Sequence, residues 1–310
     1  MFFTGTFLSL FTSTLLSYNH PIISNLIKSD HWNSINKRLD GFELYNSFKD
    51  WQSYKIGNCN EIATEEHPPF KAIKKLATTN QEVRILVYGQ SLSEGKWTQL
   101  LEEWLRKEYP NGNLVFAVHA RGGCSSQCLV GRRPWGIDNK QYNRLPQDVF
   151  EFNPDLIIFH VFGAHDDYEK ILRAFKDGCS VFANDPEPLV RCTESDSFSD
   201  SDPPEVLVQN DPRTGINYPH PDHFGLPEAT DVGQVPEGEW NHWMTSVFIP
   251  HLVQKNSYYL QNNWKDMEAF LDMTNQTAND ISQKPGDIHF GDNGHLLNAK
   301  ATASHLCYRQ

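Results

Sequence analysis

Residues 83–91 constrain the fold of this chain more than any other segment. The run Val-Arg-Ile-Leu-Val-Tyr at 83–88 is mostly apolar and rich in β-branched side chains, and it stops at Gly89-Gln90-Ser91. Apolar residues at helical spacing begin again at Trp97. The pattern predicts a buried strand, a tight turn and a helix, with the Ser91 hydroxyl at the carboxyl end of the strand. In open α/β sheets, ligands bind at that edge.

The alternation of strand and helix patterns continues through most of the remaining chain. Because strands that are apolar along their whole length are buried on both faces, this alternation indicates a parallel sheet covered by helices on either side. We therefore predict a three-layer α/β/α, flavodoxin-like fold with a central parallel sheet of about five strands. The predicted strands are 83–88, 114–118, 155–161, 205–208 and 258–260, and the predicted helices are 97–109, 145–150, 168–175, 240–252 and 296–306.

The 310 residues divide into three regions. Residues 1–17 are apolar and rich in Thr and Ser, which is typical of a signal-peptide core, although no Lys or Arg precedes them; a buried helix or a membrane anchor is the alternative. Residues 18–81 show no persistent period and are interpreted as an N-terminal extension packed on the main domain, or as a small β module. Residues 82–310 form the main domain, with inserted polar loops near 178–204 and 211–238.

Charge and hydropathy exclude some classes of partner. The formal net charge is −12 at pH 7 and the pI is about 5.5, which argues against a nucleic-acid backbone or an anionic membrane surface as a partner. After the N-terminal region, no segment of the sequence is apolar for long enough to span a bilayer. We therefore expect no nucleic-acid binding and no integral membrane span other than an N-terminal anchor.

The six cysteines bear on the compartment and on metal binding. Their even number suits an oxidising compartment, and together with residues 1–17 it predicts a secreted or extracytoplasmic protein. No two of them have Cys-x-x-Cys spacing, so we expect no structural zinc site. Cys179 and Cys192 flank one polar loop and are predicted to form a disulfide, whereas Cys124 and Cys128 are assigned a local structural role.

Four short motifs lie where predicted strands meet loops. They are Gly-Gln-Ser at 89–91, Arg-Gly-Gly-Cys-Ser-Ser-Gln at 121–127, Gly-Ala-His-Asp at 163–166, and Asp-Ile-His-Phe at 287–290 followed by Asp-Asn-Gly-His-Leu-Leu at 292–297. In this order the motifs resemble those of the SGNH (GDSL-type) hydrolase superfamily. The resemblance covers about residues 83–303 and implies that residues 82–310 are an SGNH hydrolase-like domain.

The resemblance implies a role for one residue in each motif. Ser91 would be the nucleophile and His289 the general base. The backbone N–H groups of Ser91 and Gly123 and the side chain of His165 would form the oxyanion hole, because these groups donate hydrogen bonds to the negative charge that develops on the substrate. His165 stands where the family has Asn, and an imidazole N–H can also donate a hydrogen bond.

The carboxylate that would orient His289 is the least regular part of the resemblance. The family commonly has Asp three residues before the His, and this sequence has Gly286 there, so Asp287, two residues before the His, is the predicted orienting group. A Ser–His dyad without a carboxylate, or help from Asp292, are the alternatives. His295 is interpreted as a helix-start residue and not as a second base.

These assignments predict a serine carboxylic ester hydrolase that works by two-step acyl transfer, without a cofactor or a metal ion. A carbohydrate O-acetyl esterase is the preferred function, so the expected partner is a small-molecule or polysaccharide ester; the oligomeric state stays open. The departures at Gln90, His165 and Gly286 favour an alternative from another class, a catalytically silent SGNH-like domain that binds glycans or a protein partner. A lipid esterase or thioesterase and an O-acyltransferase are further alternatives, since the same residues would serve each.

Overall fold

The computed structural model describes residue 59 and residues 65–131, 143–161, 165–178, 203–212 and 244–308. All of these residues belong to one unit of the chain, Lys55–Gln310. The predictions for residues 1–17, for most of the extension 18–81, for most of the two inserted loops and for a Cys179–Cys192 disulfide lie outside the described residues.

A parallel sheet of five strands forms the centre of the described unit. Its order is β2-β1-β3-β4-β5, and every neighbouring pair is parallel. This order is the one found in flavodoxin-like folds, and it confirms the predicted sheet of about five parallel strands. The strands are β1 Glu82–Gln90, β2 Asn113–Arg121, β3 Leu156–His160, β4 Glu205–Gln209 and β5 Tyr259–Gln261.

Helices connect the strands and cover the sheet. The described α-helices are α1 Lys71–Thr78, α2 Lys96–Glu108, α3 Ser126–Leu129, α4 His165–Asp177, α5 Ile249–Asn256, α6 Asn263–Thr274, α7 Ala278–Ile281 and α8 Asp292–Cys307. A 3₁₀ turn spans Ser91–Glu94, and π-helical turns span Pro146–Phe150 and Met244–Phe248. The sequence pattern does not predict α6, although Asn262 caps it by accepting a hydrogen bond from the Lys265 N–H, which is a usual N-terminal signal.

Both faces of the central strands β1, β3 and β4 are buried, as the continuous apolar strands predict, whereas the edge strand β2 is mostly half-buried. Successive residues of a strand point to opposite faces, and Ile85, Leu86, Val87 and Tyr88 of β1 are all fully buried. One face packs against α4 and α5, which contact each other. Helices α2 and α8 pack together as a second helical layer, and α2 also contacts β2. Each fully buried Leu or Ile contributes about 1.5–3 kcal/mol to folding, so this three-layer packing is the main source of stability.

The strand register brings the carboxyl ends of three strands to the same level. Gln90 pairs with Arg121 at the end of β2, and Gly89 pairs with His160 at the end of β3. The chain leaves β1 between these two neighbours, which is where the strand order reverses. Such a switch point opens a crevice at the carboxyl edge of the sheet. Ser91 and Gly122, the residues that follow β1 and β2, therefore emerge side by side at this crevice.

Two disulfides join described residues. Cys59 pairs with Cys307 at the end of α8, and Cys124 pairs with Cys128 in the segment after β2. The sequence pattern predicts neither pair, because it indicates only a local structural role for Cys124 and Cys128 and leaves Cys59 and Cys307 unassigned. In the described part of the chain, no helix combines the length and the apolar character needed to cross a membrane.

Candidate active site

Gly89 determines how Ser91 leaves the sheet. A Cβ atom on Gly89 would overlap the carbonyl oxygen of His160 and would lie 2.5 Å from the Ser93 Oγ. Only glycine therefore lets β1 approach β3 this closely at the point where the 3₁₀ turn begins. The indole N–H of Trp97 donates to the carbonyl of Leu92 at 2.6 Å and holds the turn against α2. The Gly-x-Ser spacing thus places Ser91 as the first residue beyond the strand.

A short anchored loop carries Asp287 and His289. Ser282 and Phe290 form an antiparallel bridge at its base, and the His289 carbonyl accepts a hydrogen bond of 2.7 Å from the Gln283 N–H. Gly294 packs so closely on this base that a Cβ there would overlap the carbonyl oxygen of Ile281. These contacts tie the loop to the start of α8 and restrict the position of the imidazole ring.

The two predicted partners of Ser91 meet it through one chain of hydrogen bonds. The Nε2 atom of His289 lies 3.0 Å from the Ser91 Oγ, although the two residues are 198 positions apart. The Nδ1 atom of the same ring lies 2.7 Å from the Asp287 Oδ1. With the ring proton on Nδ1, the imidazole donates to Asp287 and its Nε2 can accept the serine proton. This is the arrangement that general-base activation of a serine requires.

The electrostatics favour a charged Asp287 at neutral pH. The backbone N–H of His289 donates to the Asp287 Oδ1 at 2.9 Å, and together with the ring N–H it lowers the pKa of this carboxyl below its ordinary value. The Asp287 side chain is 12% exposed and the His289 side chain 42%. An ionised, mostly buried carboxylate behind the ring would stabilise an imidazolium when the ring takes a proton.

Asp292, the alternative carboxylate, lies elsewhere. It is the first residue of α8, its side chain is 86% exposed, and it forms an ion pair of 3.0 Å with the Lys96 ammonium. A negative charge at a helix N-terminus is favourable by itself, which accounts for its position. The carboxylate that contacts the His289 ring is that of Asp287.

The loop after β2 lies against Ser91. A turn closes when the Cys124 N–H donates to the Arg121 carbonyl at 3.0 Å, and Gly123 has φ +75°, in the left-handed region that favours glycine. A Cβ on Gly122 would lie 3.8 Å from the Ser91 Cβ, whereas one on Gly123 would have no atom within 4 Å. Within the described residues, the Gly123 N–H has no hydrogen-bond partner. It is therefore available to a ligand at the crevice.

The other two predicted oxyanion donors are the Ser91 N–H and the His165 side chain. Ser91 is the first residue of its 3₁₀ turn, so its N–H has no partner within that turn. His165 is the first residue of α4, but its side chain lies outside the described part of the structure, as do Gly163 and Ala164. The role of His165 stays a prediction.

A cavity of about 180 Å³ opens beside the Ser91 hydroxyl. The sequence pattern does not assign three of its lining residues to the site: Glu94, Gln283 and His295. His295 is the fourth residue of α8, its ring contacts the Phe290 ring edge-on at 5.6 Å, and burial lowers its pKa. For Glu94 a usable signal exists, because residues three apart in a 3₁₀ turn lie on the same side. The cavity is lined by Ser91, Leu92, Glu94, Gly95, Gln283, His289, Phe290 and His295.

No group of three or more His, Cys, Asp or Glu side chains suited to a metal ion occurs among the described residues. The described groups at the crevice include a hydroxyl, an imidazole, a carboxylate and a backbone N–H group.

Comparisons with known proteins give matches to solved structures. No protein-family model matches the sequence, and no curated protein matches it either. The acetyl xylan esterase AlAXEase is 17% identical over 71% of this chain and 98% of its own, with a TM-score of 0.46. A two-domain esterase active on acetylated mannans is 15% identical, with a TM-score of 0.45, and the match covers 76% of this chain and 51% of that one. TesA is 14% identical over 71% of this chain and 97% of its own, with a TM-score of 0.40.

Two of these three structural neighbours are named as esterases. The chain is similar to them in fold. Any assignment of activity to this chain depends on the geometry of its own site, because identities of 14–17% and TM-scores of 0.40–0.46 describe only a likeness of architecture.

Proposed function

We propose that this protein is a serine ester hydrolase that works by two-step acyl transfer. One observation carries the proposal: the Ser91 Oγ lies 3.0 Å from the His289 Nε2, while the Asp287 carboxylate holds the opposite ring nitrogen at 2.7 Å. A serine hydroxyl is a weak nucleophile unless a base accepts its proton, and this contact supplies the base.

The chemistry follows from these contacts. Ser91 Oγ attacks the ester carbonyl carbon as its proton passes to His289 Nε2, and the Ser91 and Gly123 N–H groups donate to the developing oxyanion. The imidazolium, stabilised by Asp287, then protonates the leaving alcohol as the carbonyl–oxygen bond of the ester breaks. Water, deprotonated by His289, attacks the acyl-serine ester. The tetrahedral intermediate formed in this way breaks its bond to the Ser91 oxygen. This releases the carboxylic acid, and the proton held by His289 returns to Ser91.

Within this activity we propose an O-acetyl ester of a carbohydrate as the substrate. The cavity beside Ser91 measures about 180 Å³, below the roughly 300–1,000 Å³ that is usual for drug-sized ligands. It suits a short acyl group better than a fatty acyl chain. Its lining includes Glu94, Gln283 and His295, which can hydrogen-bond to hydroxyl-rich alcohols.

The central experiment compares the wild type with Ser91→Ala on p-nitrophenyl acetate. We expect the variant to fall to the background rate, because the attacking oxygen is lost, while Ser304→Ala, a serine on α8 away from the crevice, keeps wild-type activity. Equal rates for the wild type and Ser91→Ala would overturn the proposal and favour a catalytically silent binding domain.

Two further assays test the substrate. Rates on p-nitrophenyl esters should fall steeply as the acyl chain lengthens beyond acetyl, and acetate should be released from acetylated polysaccharides. A preference for long acyl chains would favour a lipid esterase instead. Analysis of the products formed with an added sugar acceptor distinguishes hydrolysis from acyl transfer.

We also infer that the protein works in an oxidising compartment. The Cys59–Cys307 and Cys124–Cys128 disulfides support this inference, because structural disulfides form and persist mainly outside the reducing cytosol. Export with disulfide formation should therefore yield more active protein than reducing cytosolic expression, as measured by specific activity after purification.

A further inference from the structure

Glu94 lies in the crevice without a role in the chemistry proposed above. It lines the same cavity as Ser91 and His289. Its carboxylate forms no ion pair among the described residues and instead accepts the backbone N–H of Gly122 at 2.7 Å.

The local backbone directs Glu94 toward this contact. Ser91 and Glu94 are the first and last residues of the 3₁₀ turn that follows β1. In a 3₁₀ helix, side chains at positions i and i+3 lie one above the other, so the Glu94 side chain projects on the Ser91 side. From there it spans the gap between β1 and β2 and reaches the loop that begins after Arg121.

The hydrogen bond from the Gly122 N–H to Glu94 also affects the neighbouring peptide group, which carries the Gly123 N–H. Gly122 and Gly123 are the two central residues of the turn closed by the Cys124 N–H and the Arg121 carbonyl. Glycine backbones have wide conformational freedom, so two in succession form a flexible turn unless it is restrained. The carboxylate occupies the Gly122 N–H and leaves the Gly123 N–H free. Arg121 is held in turn by a bidentate ion pair with the buried Asp148, with N–O distances of 2.9 and 3.2 Å.

We propose that Glu94 is a positioning residue for the oxyanion hole, in which its carboxylate fixes the Gly122–Gly123 turn so that the Gly123 N–H faces the reacting carbonyl. This proposal rests on the ester hydrolase function proposed above. Preorganised donors lower the barrier because they need no rearrangement when charge develops. Glu94 therefore acts in the transition state through Gly123. With p-nitrophenyl acetate, which has no hydroxyl-rich alcohol to hydrogen-bond, it contributes little to ground-state binding.

Steady-state kinetics on p-nitrophenyl acetate test the proposal with three variants. Glu94→Ala removes the acceptor and should lower kcat about 10- to 100-fold with KM changed less than about threefold, a smaller loss than the 10²–10³ typical of deleting an oxyanion donor. Glu94→Gln keeps a side-chain oxygen that accepts the Gly122 N–H, so its kcat should stay within about threefold of the wild type. Glu94→Asp keeps the charge but is one methylene shorter, so it should resemble Glu94→Ala.

Controls separate this effect from misfolding and from failure of the proposed function. Glu103→Ala, an exposed glutamate on α2, should retain wild-type kinetics. Thermal unfolding midpoints show whether each variant is folded, and if Glu94→Ala is not, Glu94→Asp takes its place in the comparison. A boronic acid that forms a tetrahedral adduct on Ser91 provides a second readout, since its affinity should fall in Glu94→Ala and recover in Glu94→Gln.

A folded Glu94→Ala or Glu94→Asp variant with wild-type kcat overturns the positioning role. So does a Glu94→Gln variant as impaired as Glu94→Ala, because hydrogen-bond acceptance would then not be the property that matters. Failure of the hydrolase function itself is distinguishable, because the wild type and Ser91→Ala would then hydrolyse the ester at the same rate.

Discussion

At the scale of single residues, the Asp287–His289 pair shows how a carboxylate two positions before a histidine can reach its ring. The Asp287 Oδ1 accepts the His289 backbone N–H as well as its Nδ1–H, at 2.9 and 2.7 Å. A side-chain oxygen bonded to the backbone N–H two residues later is an Asx-turn, which Asp forms readily. The turn orients the carboxylate toward the ring without a residue at position 286 taking part.

Asp287→Asn should therefore lower kcat strongly while leaving the fold intact. The amide keeps the shape but removes the charge that selects the ring tautomer and stabilises the imidazolium, and the comparable change in a serine protease costs about 10⁴-fold in kcat. We expect a loss of about 10²- to 10⁴-fold here, measured as kcat on p-nitrophenyl acetate. The matched control is Asp292→Asn, which should cost little because Asp292 pairs with Lys96 at the surface. A larger loss for Asp292→Asn would reverse the assignment.

The direction of the Asp287 pKa shift leads to a pH prediction. Because the folded-state pKa lies below the ordinary value of 3.8, the carboxylate stays ionised from neutral pH down to below that value. Its contribution to stability and to orientation of the ring is present above 3.8 and is lost only as the pH falls through the lower folded-state pKa. The Asp287 carboxyl should thus show no ionisation step from about pH 5 to 8 when its side-chain carbon is followed by NMR. A titration of this carboxyl within that range would contradict the shift.

At the scale of elements, the end of β1 depends on contact between two backbones. Gly89 lies where β1 meets the carbonyl of His160 at the end of β3, and there is no room for a Cβ atom. Gly123 is glycine for another reason, since it has open space around it but a left-handed φ of +75°. The two glycines at the crevice therefore respond to substitution by different physical routes.

Gly89→Ala should destabilise the protein and displace Ser91. The new methyl group meets backbone atoms that cannot rotate away, and forced overpacking costs about 1–3 kcal/mol. Gly123→Ala should cost about 1–2 kcal/mol through its left-handed backbone alone, without a steric shift of β1. Urea unfolding measures both free energies. The steric explanation fails if Gly89→Ala unfolds at the same urea concentration as the wild type.

At the scale of the whole molecule, the two disulfides close loops of very different length. Cys59 and Cys307 are 248 positions apart, and Cys124 and Cys128 only 4. A crosslink stabilises chiefly by restricting the unfolded chain, and in the chain-entropy account the effect grows with the length of the closed loop. The long-range pair should therefore matter for global stability and the short one for the segment that follows Gly123.

Cys59→Ala/Cys307→Ala should lower the free energy of unfolding by about 2–5 kcal/mol with little change in kcat of the folded protein. Cys124→Ala/Cys128→Ala should lower the free energy of unfolding by less but lower kcat by more, because Cys124 directly follows Gly123 of the candidate oxyanion hole. Denaturant unfolding and kinetics on the same preparations test both statements. Equal losses of stability in the two double variants would show that loop length does not govern the effect.

Much of the fold could be predicted from the sequence, because the patterns that indicate it lie within single strands and helices. The apolar run at 83–88 and the helical spacing that begins at Trp97 each lie within one element. The shortness and β-branched content of the run indicate a strand, and the spacing indicates a helix. The buried five-strand parallel sheet follows from such segments, and so does the placement of Ser91 at its carboxyl edge. Helix α6 was detectable in the same way, from the Asn262 cap and the apolar spacing of Met267, Phe270 and Leu271.

The sequence by itself determined the layers, the sheet edge and the residue types available for chemistry. By resemblance, the motifs already paired His289 with Ser91 and made Asp287 the preferred orienting group. Only the tertiary structure decided that Asp287 and not Asp292 contacts the ring. It also decided that Glu94 contacts Gly122 and that Cys59 pairs with Cys307. Each of these contacts depends on how packed elements or anchored loops are placed relative to one another. Local propensity carries no such information, because it is set by neighbours within a few residues, whereas packing brings together residues nearly two hundred positions apart.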